Sequence, residues 1–394
     1  MDLGRALAMK TDSPPPNGRL SPQDAARLDA LYARLVRERS VFIGYPVSAA
    51  FDYTPLYRFL EFPSNNVGDP FIPSNYHLNT HEFEREVLAE FFDLTAAPAD
   101  DAWGYITSGG TEGNLYGIFL GRELLPDGMV YYSEDTHYSV NKILRALHVR
   151  NIMIRSREDG RIDLDDLYET LRIHRDVPPI LFLNIGTTMK GAIDDLEGVN
   201  EILRDLAIGR RYIHADAALH GMILPFVDRP QPWNFEAGID SISISGHKFI
   251  GAPFPCGVVI ARKGNVERIA RSIEYVGSLD TTLSGSRNSL AALFLWYALR
   301  TTPRGEFRRI VAECLDVADY AIDRLEALGR NPWRHEHSPI VVFDRPPGSI
   351  MKKWQIAVQG RIGHVIAMPH VTREQVDRLV ADLAAVEPEE VRPR

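Results

Sequence analysis

Between Trp103 and Lys263 the chain alternates short apolar runs with segments of helical period, and no other feature restricts its fold as much. Runs at Gly104–Thr107, Met129–Tyr132, Asn151–Ile154, Ile180–Ile185, Tyr212–His214 and Ser241–Ile244 have the length and residue types of strands. Between most of them lie Asn114–Leu125, Asn141–His148, Leu164–Ile173 and Asn200–Leu206, whose apolar residues recur at helical spacing. Strands separated in this way by helices predict an α/β fold built on a doubly wound, largely parallel sheet. Cys256–Ala261 returns as one more strand. Such sheets bind ligands at the carboxyl ends of their strands, so those ends are where chemistry is to be sought.

The pattern changes on either side. After about Thr301 a long helical segment, Glu306–Leu328, precedes Ile340–Phe343, a helix near Met351–Gln359, Val365–Met368 and a last helix from Glu374, which together read as a small α+β domain. At the other end, Thr11 to Leu20 carries Pro14, Pro15 and Pro16 and reads as a tail. Ser21 then caps a helix with Pro22 in its first turn and Asp24 at its positive end. Leu28, Leu31 and Leu35 share one face of that helix, which must be covered either by a partner subunit or by the chain's own main domain. The expected division is 1–50 for tail and helix, 51–300 for the large domain and 301–394 for the small one.

Composition narrows the class. The 394 residues are 45% hydrophobic and 25% charged, enough for a large core. A net charge of -9 argues against nucleic acid, which needs a basic surface. No apolar run approaches the roughly 18 to 20 residues of a membrane span. The first residues, Met1 to Lys10, lack a secretory signal's apolar stretch. Two cysteines, Cys256 and Cys314, make no disulfide framework, and the simplest setting is cytoplasmic. Cys256 lies in an apolar strand and reads as a small buried residue.

Five strand ends carry suggestive residues. Thr107-Ser108-Gly109-Gly110-Thr111-Glu112-Gly113-Asn114 joins a strand to a helix; two glycines, a threonine hydroxyl and a helix N-terminus outline a phosphate cradle, although a plain glycine turn would look the same. It is no P-loop, since no Gly-Lys-Ser/Thr follows. Glu134-Asp135-Thr136-His137-Tyr138-Ser139 offers a ring that can stack, or a loop histidine. Gly186-Thr187-Thr188 offers hydroxyls. His214-Ala215-Asp216-Ala217-Ala218 puts a histidine and a carboxylate on one face, with small residues that leave room for a flat ring. A His-x-Asp metal site and a helix-capping aspartate are the competing readings there. Ser245-Gly246-His247-Lys248 ends with a lysine that, if desolvated, can lose its proton and form a Schiff base. Phosphate cradle, stacking ring, hydroxyl, carboxylate and amine together fit one ligand, pyridoxal phosphate (PLP).

These motifs resemble those of the group II PLP-dependent amino-acid decarboxylases, of the aspartate-aminotransferase fold type (fold type I). The likeness runs from about Phe42-Ile43-Gly44-Tyr45-Pro46 to the last helix, through Asn66-Val67-Gly68-Asp69, Trp103-Gly104-Tyr105 and Gly110-Thr111-Glu112-Gly113-Asn114. It continues through Asp135-Thr136-His137-Tyr138-Ser139-Val140, Asn184-Ile185-Gly186-Thr187-Thr188, His214-Ala215-Asp216-Ala217-Ala218 and Gly285-Ser286-Arg287-Asn288. The resemblance implies that Lys248 binds the cofactor's aldehyde, Asp216 holds its pyridinium nitrogen, and His137 and Ala218 pack on its two faces. It implies Gly109, Gly110 and Thr111 at the phosphate, helped by Ser245 and His247, with Thr188 near the ring hydroxyl. It further implies a homodimer with sites at the interface, the N-terminal helix contributing to that interface and the segment around Ser286 reaching the partner's cofactor.

Within the group the chain is most similar to the bacterial histidine decarboxylases and the plant serine decarboxylases. Ser133–Leu144, Asp166–Pro178 and His214–Phe226 resemble the former; Gly68–Tyr76 and Lys352-Lys353-Trp354-Gln355 resemble the latter. The expected reaction is decarboxylation of L-histidine to histamine, with L-serine to ethanolamine or another small polar amino acid as the alternative. A transaminase or lyase on the same residues, or a non-catalytic relative, completes the list. Candidate substrate residues are Tyr76, His77 and Tyr275. The chain departs from the family in three places. Val276 to Ser284 has no tyrosine to return a proton to the substrate carbon. Ser289-Leu290 stands where those enzymes read Gly-His, and His220 where the histidine enzymes have serine.

Overall fold

The computed structural model describes residues 20–73, 75–273 and 278–386. They form two units, divided after Phe42. The first contains helix α1 (Pro22–Arg39), which starts as its sequence requires: the Ser21 side chain accepts from the Asp24 N–H, and Pro22 occupies the first turn. None of its residues is buried.

The second unit opens with α2 (His81–Leu94), β1 (Ala102–Thr107), α3 (Gly110–Leu124), β2 (Met129–Ser133), α4 (Ser139–Ala146) and β3 (Asn151–Ile154). It continues with α5 (Leu164–Ile173), β4 (Pro179–Asn184), α6 (Leu196–Asp205), β5 (Tyr212–Asp216), β6 (Ser241–Ser245), β7 (Gly257–Arg262) and the short α7 (Lys263–Glu267). Seven strands make one sheet in the order β1-β7-β6-β5-β4-β2-β3. Strands β6, β5, β4, β2 and β3 pair parallel, while β7 runs against both its neighbours. Every residue of β2, β4, β5 and β6 is buried, as expected of parallel strands covered on both faces. The expected doubly wound sheet is therefore present, with two refinements at its ends. Strand β5 runs on to Asp216, and α3 and α6 begin four residues, α4 two residues, before the predicted starts, because the turn residues are already helical.

Helix α3 lies unusually close to the sheet. A Cβ on Gly113, Gly117 or Gly121 would come within 2.2, 2.1 and 2.8 Å of side-chain atoms of Ser243, His214 and Tyr212. The three glycines recur every fourth residue, so they form one stripe facing β5 and β6.

A two-stranded ladder, β8 (Arg271–Ile273) with β9 (Ser278–Asp280), leads into α8 (Ser289–Thr301) and the long α9 (Arg304–Glu326). The small domain follows: β10 (Ile340–Asp344), α10 (Gly348–Trp354), β11 (Ala357–Gln359), β12 (Ile362–Ile366) and α11 (Arg373–Ala384). Its antiparallel sheet has the order β10-β12-β11. The predicted helix over Met351–Gln359 is corrected here. It stops at Trp354 because Gln355 turns left-handed, with φ of 53°, and the chain becomes an edge strand. No glycine or proline marks that stop. The small domain is fastened near the carboxyl ends of the large sheet's strands: His364 reaches the carbonyls of Met189 and Gly44, and Ile366 N–H donates to Ile43. Among the described residues no helix is long and apolar enough to cross a membrane.

Candidate active site

The carboxyl ends of β1, β4, β5 and β6 converge on a cavity of about 170 Å³. Gly110, Thr111, His137, Thr188, Asp216, Ala218, Ser245, His247 and Lys248 all line it. Four of these segments share the cavity because parallel strands all end at one edge of the sheet; the His137 turn follows β2 at the same edge.

The glycine turn has the form of an anion cradle. Gly109, at φ 133°, takes a conformation that L side chains rarely adopt, and α3 starts at the next residue. A Cβ on Gly110 would stand 2.8 Å from Ser245 Oγ, so the backbone can approach that hydroxyl only without a side chain. Fifteen residues of helix point their positive end here. Glu112 locks the turn: its carboxylate accepts the Ser108 N–H at 2.7 Å and the Ser108 hydroxyl at 2.6 Å. His247 adds an imidazole whose Nδ1 donates to the Cys256 carbonyl at 2.8 Å, leaving Nε2 for other partners.

Lys248 is enclosed by protein but open to the cavity on one side. That desolvation lowers its ammonium below the ordinary lysine range, opposed in part by the Asp216 charge. An amine so placed is easier to have neutral, the form that attacks a carbonyl. The Lys248 carbonyl accepts from the Ser48 N–H at 2.9 Å, which brings Pro46 into the cavity wall. Asp216 is nearly buried and receives two donors, Asn114 Nδ2 at 2.7 Å and the Ala218 N–H at 3.1 Å. The alternatives raised for this turn do not match its geometry. His214 has both ring nitrogens engaged, with Ser241 and Asn114, so it is not free to bind a metal. Asp216 closes a turn rather than capping a regular helix.

His137 is pushed below the usual histidine range by desolvation; the nearby Asp216 charge opposes the shift and Lys248 adds to it. The Ser139 N–H points at its Nδ1, so the neutral ring carries its hydrogen on Nε2. Thr187 is buried and accepts the Ala192 N–H, and it lines the cavity together with Thr188.

Other predicted residues lie elsewhere in this chain. Gly109 sits behind the wall beside His247. Ser286 Oγ accepts from Asn65 Nδ2 at 3.0 Å and lines no part of the cavity. Tyr76 bonds the Pro63 carbonyl, and His77 is exposed; neither reaches the cavity. Tyr275 falls outside the described residues. The cavity also holds residues given no role by sequence: Pro46, Asn114, Ser139, Leu219, Ile340 and Ile366. Asn114 stood within a quoted motif. Ile340 and Ile366 come from the small sheet, and nothing local marks them.

The glycine cradle, the carboxylate of Asp216, the imidazole of His137 and the desolvated amine of Lys248 on one cavity fit pyridoxal phosphate. Comparison with known proteins agrees. Residues 79–344 match the pyridoxal-dependent decarboxylase conserved domain. A histidine decarboxylase of Acinetobacter baumannii (strain ACICU) is 47% identical, over 92% of this chain and 96% of that protein. One from Morganella morganii is also 47% identical, over 93% and 98%. Among solved structures, L-methionine decarboxylase from Streptomyces sp. 590 superposes with a TM-score of 0.86 at 27% identity, covering 94% and 97%. The chain belongs to the pyridoxal-dependent decarboxylase family and is a PLP-dependent amino-acid decarboxylase of fold type I.

Proposed function

We propose that the enzyme converts L-histidine to histamine and carbon dioxide. The observation that carries this reading is the 47% identity to histidine decarboxylases across nearly the whole chain. When bound, the cofactor supplies an electron sink for the pair left behind as carbon dioxide departs. The protein's part is to hold, orient and exclude water. Lys248 binds the aldehyde, Asp216 meets the ring nitrogen, and Gly110, Thr111, Ser245 and His247 take the phosphate, with Gly109 setting the turn behind them. His137 and Ala218 flank the ring, and Thr188 stands near its hydroxyl. Pro46, Ile340 and Ile366 give the cavity apolar wall. An ionised carboxylate is poorly solvated against such a wall, whereas the carbon dioxide it becomes is not, so the wall favours the direction of reaction.

The active form is a homodimer in this reading. Support comes from the leucine face of α1, where Leu28, Leu31 and Leu35 are 55, 41 and 54% exposed. A dimer also gives Ser286, Tyr76 and His77 a route to the partner's cavity.

The test is product identity. Purified enzyme loaded with the cofactor is given an equal mixture of the twenty amino acids, and amines are identified by mass spectrometry. Histamine as the dominant product, absent in Lys248→Ala, is expected. Dominant ethanolamine would overturn histidine in favour of serine.

A further inference from the structure

A buried chain of hydrogen bonds runs from Asp216 beneath α3, and its direction can be worked out. A carboxylate only accepts, so the Asn114 atom facing Asp216 Oδ2 at 2.7 Å is the amide nitrogen. The Asn114 carbonyl oxygen then faces His214 Nε2, 3.0 Å away. His214 is fully buried, and burial alone pushes it down to about 3, so the ring is neutral. Its single hydrogen must sit on Nε2. Nδ1 therefore accepts, at 2.7 Å, from the Ser241 hydroxyl, which in turn accepts the Tyr212 O–H at 2.8 Å. Every donor points toward Asp216. The glycine stripe of α3 makes the space: a Cβ at Gly117 would lie 2.1 Å from His214 Nδ1, and one at Gly121 2.8 Å from Tyr212.

We propose that Tyr212, Ser241, His214 and Asn114 are positioning residues forming a one-way donor chain that keeps Asp216 an acceptor and leaves the proton on the ring nitrogen of bound pyridoxal phosphate. The inference rests on Asp216 meeting that nitrogen. Aligned hydrogen bonds polarise one another, so the far end of the chain is felt at the carboxylate. Removing the Ser241 hydroxyl frees His214 to move its hydrogen to Nδ1. Its Nε2 lone pair would then face the Asn114 oxygen and favour rotation of the amide. That rotation would turn the Asn114 oxygen toward Asp216, and the carboxylate would then compete for the shared proton.

The experiment loads the enzyme with PLP labelled with ¹⁵N in the ring and reads the nitrogen resonance, which separates protonated from unprotonated rings. Wild type is expected to show the protonated position. Asn114→Asp, which exchanges a donor for an acceptor at constant shape, and Ser241→Ala should move it toward the unprotonated one, Tyr212→Phe less so. In Ser241→Ala, kcat should fall about 10- to 100-fold, as for loss of the Asn114 hydrogen bond to the charged Asp216 through that rotation, with KM unchanged. An unmoved resonance and unchanged kcat in Ser241→Ala with cofactor still bound would overturn the proposal, even if Asn114→Asp failed to fold. An unprotonated ring in wild type would instead remove the assignment of Asp216, and the chain with it; that failure appears before any variant is made.

Discussion

Two buried polar networks, one joining α3 to β5 and β6 and the other joining α2 to β1, are built on opposite principles. One is the neutral chain ending at Asp216. The other is an ion pair, Glu84 with Arg287, whose side chains are 0 and 3% exposed. Glu84 is saturated: it accepts from Asn66 Nδ2 at 2.7 Å, from the Ile106 N–H at 2.9 Å and from Arg287 Nη1. Arg287 also reaches the Gly68 carbonyl at 3.0 Å and lies over the Tyr105 ring. The pair thereby ties four sequence-distant segments together, around Asn66, Glu84, Ile106 and Arg287. The Asp216 chain, by contrast, is made of uncharged members and delivers them to one carboxylate on a cavity wall. A buried charge with all its partners inside the protein is scaffold; a buried charge held by neutral donors at a cavity is available to a ligand.

That contrast breaks most sharply at Lys248. Lys248→Ala should abolish amine formation, measured as product per folded enzyme, while its urea midpoint stays at or above that of wild type, since a desolvated amine has been removed. Glu84→Ala should do the reverse. Leaving Arg287 buried without its counter-charge costs about 3 to 5 kcal/mol of stability. This should appear as a lower urea midpoint, with the fraction that remains folded still binding cofactor at full stoichiometry. Loss of cofactor binding without loss of stability would show that the ion pair belongs to the site after all.

The same contrast explains what could be read from the sequence. Lys248, Asp216 and the glycine turn were legible because each follows an apolar run directly, and parallel topology brings such ends together. Asn114 was visible as part of a motif but not as a partner of His214, a hundred residues away, because hydrogen-bond direction exists only once both are placed. Arg287 was read within a segment aimed at a neighbouring subunit; in the fold its guanidinium turns inward to Glu84. Ile340 and Ile366 were invisible as cavity residues, since ordinary core isoleucines look the same. The left-handed Gln355 ended a helix without any of the usual residues that announce an end.

His220 provides a third kind of burial to set beside the two networks. It is fully buried, and neither ring nitrogen has a partner among the described residues. Desolvation, reinforced by the charges of His335, Lys248 and His337, lowers it to about 3 from 6.5. Above pH 6.5 neither folded nor unfolded chain protonates it, and its contribution is constant. As the pH falls from about 6.5 toward 3 the unfolded chain takes up a proton that the folded one refuses, so stability declines through that window. His220→Phe should flatten the decline by one proton, about 1.4 kcal/mol per pH unit between pH 5.5 and 4. Urea midpoints across that range measure it. An unchanged slope would mean that His220 has a partner in solution.

The smallest effect belongs at the surface, where the geometry of an ion pair is best and its surroundings least favourable. Arg210 and Asp127 form two parallel bonds of 3.1 Å, with side chains 64 and 56% exposed. The pairing holds the Asp127 carboxyl below its ordinary range, chiefly through the Arg210 hydrogen bond. Such a contribution is present above the ordinary carboxylate range and lost as pH falls through the folded value. Water, however, solvates both partners in either state, and holding two long side chains in register opposes the attraction. Arg210→Ala should therefore leave the urea midpoint within experimental scatter at neutral pH and alter neither kcat nor KM. If it instead approached the loss seen in Glu84→Ala, burial would not be what separates the two kinds of ion pair, and the distinction between scaffold and site would need a different physical basis.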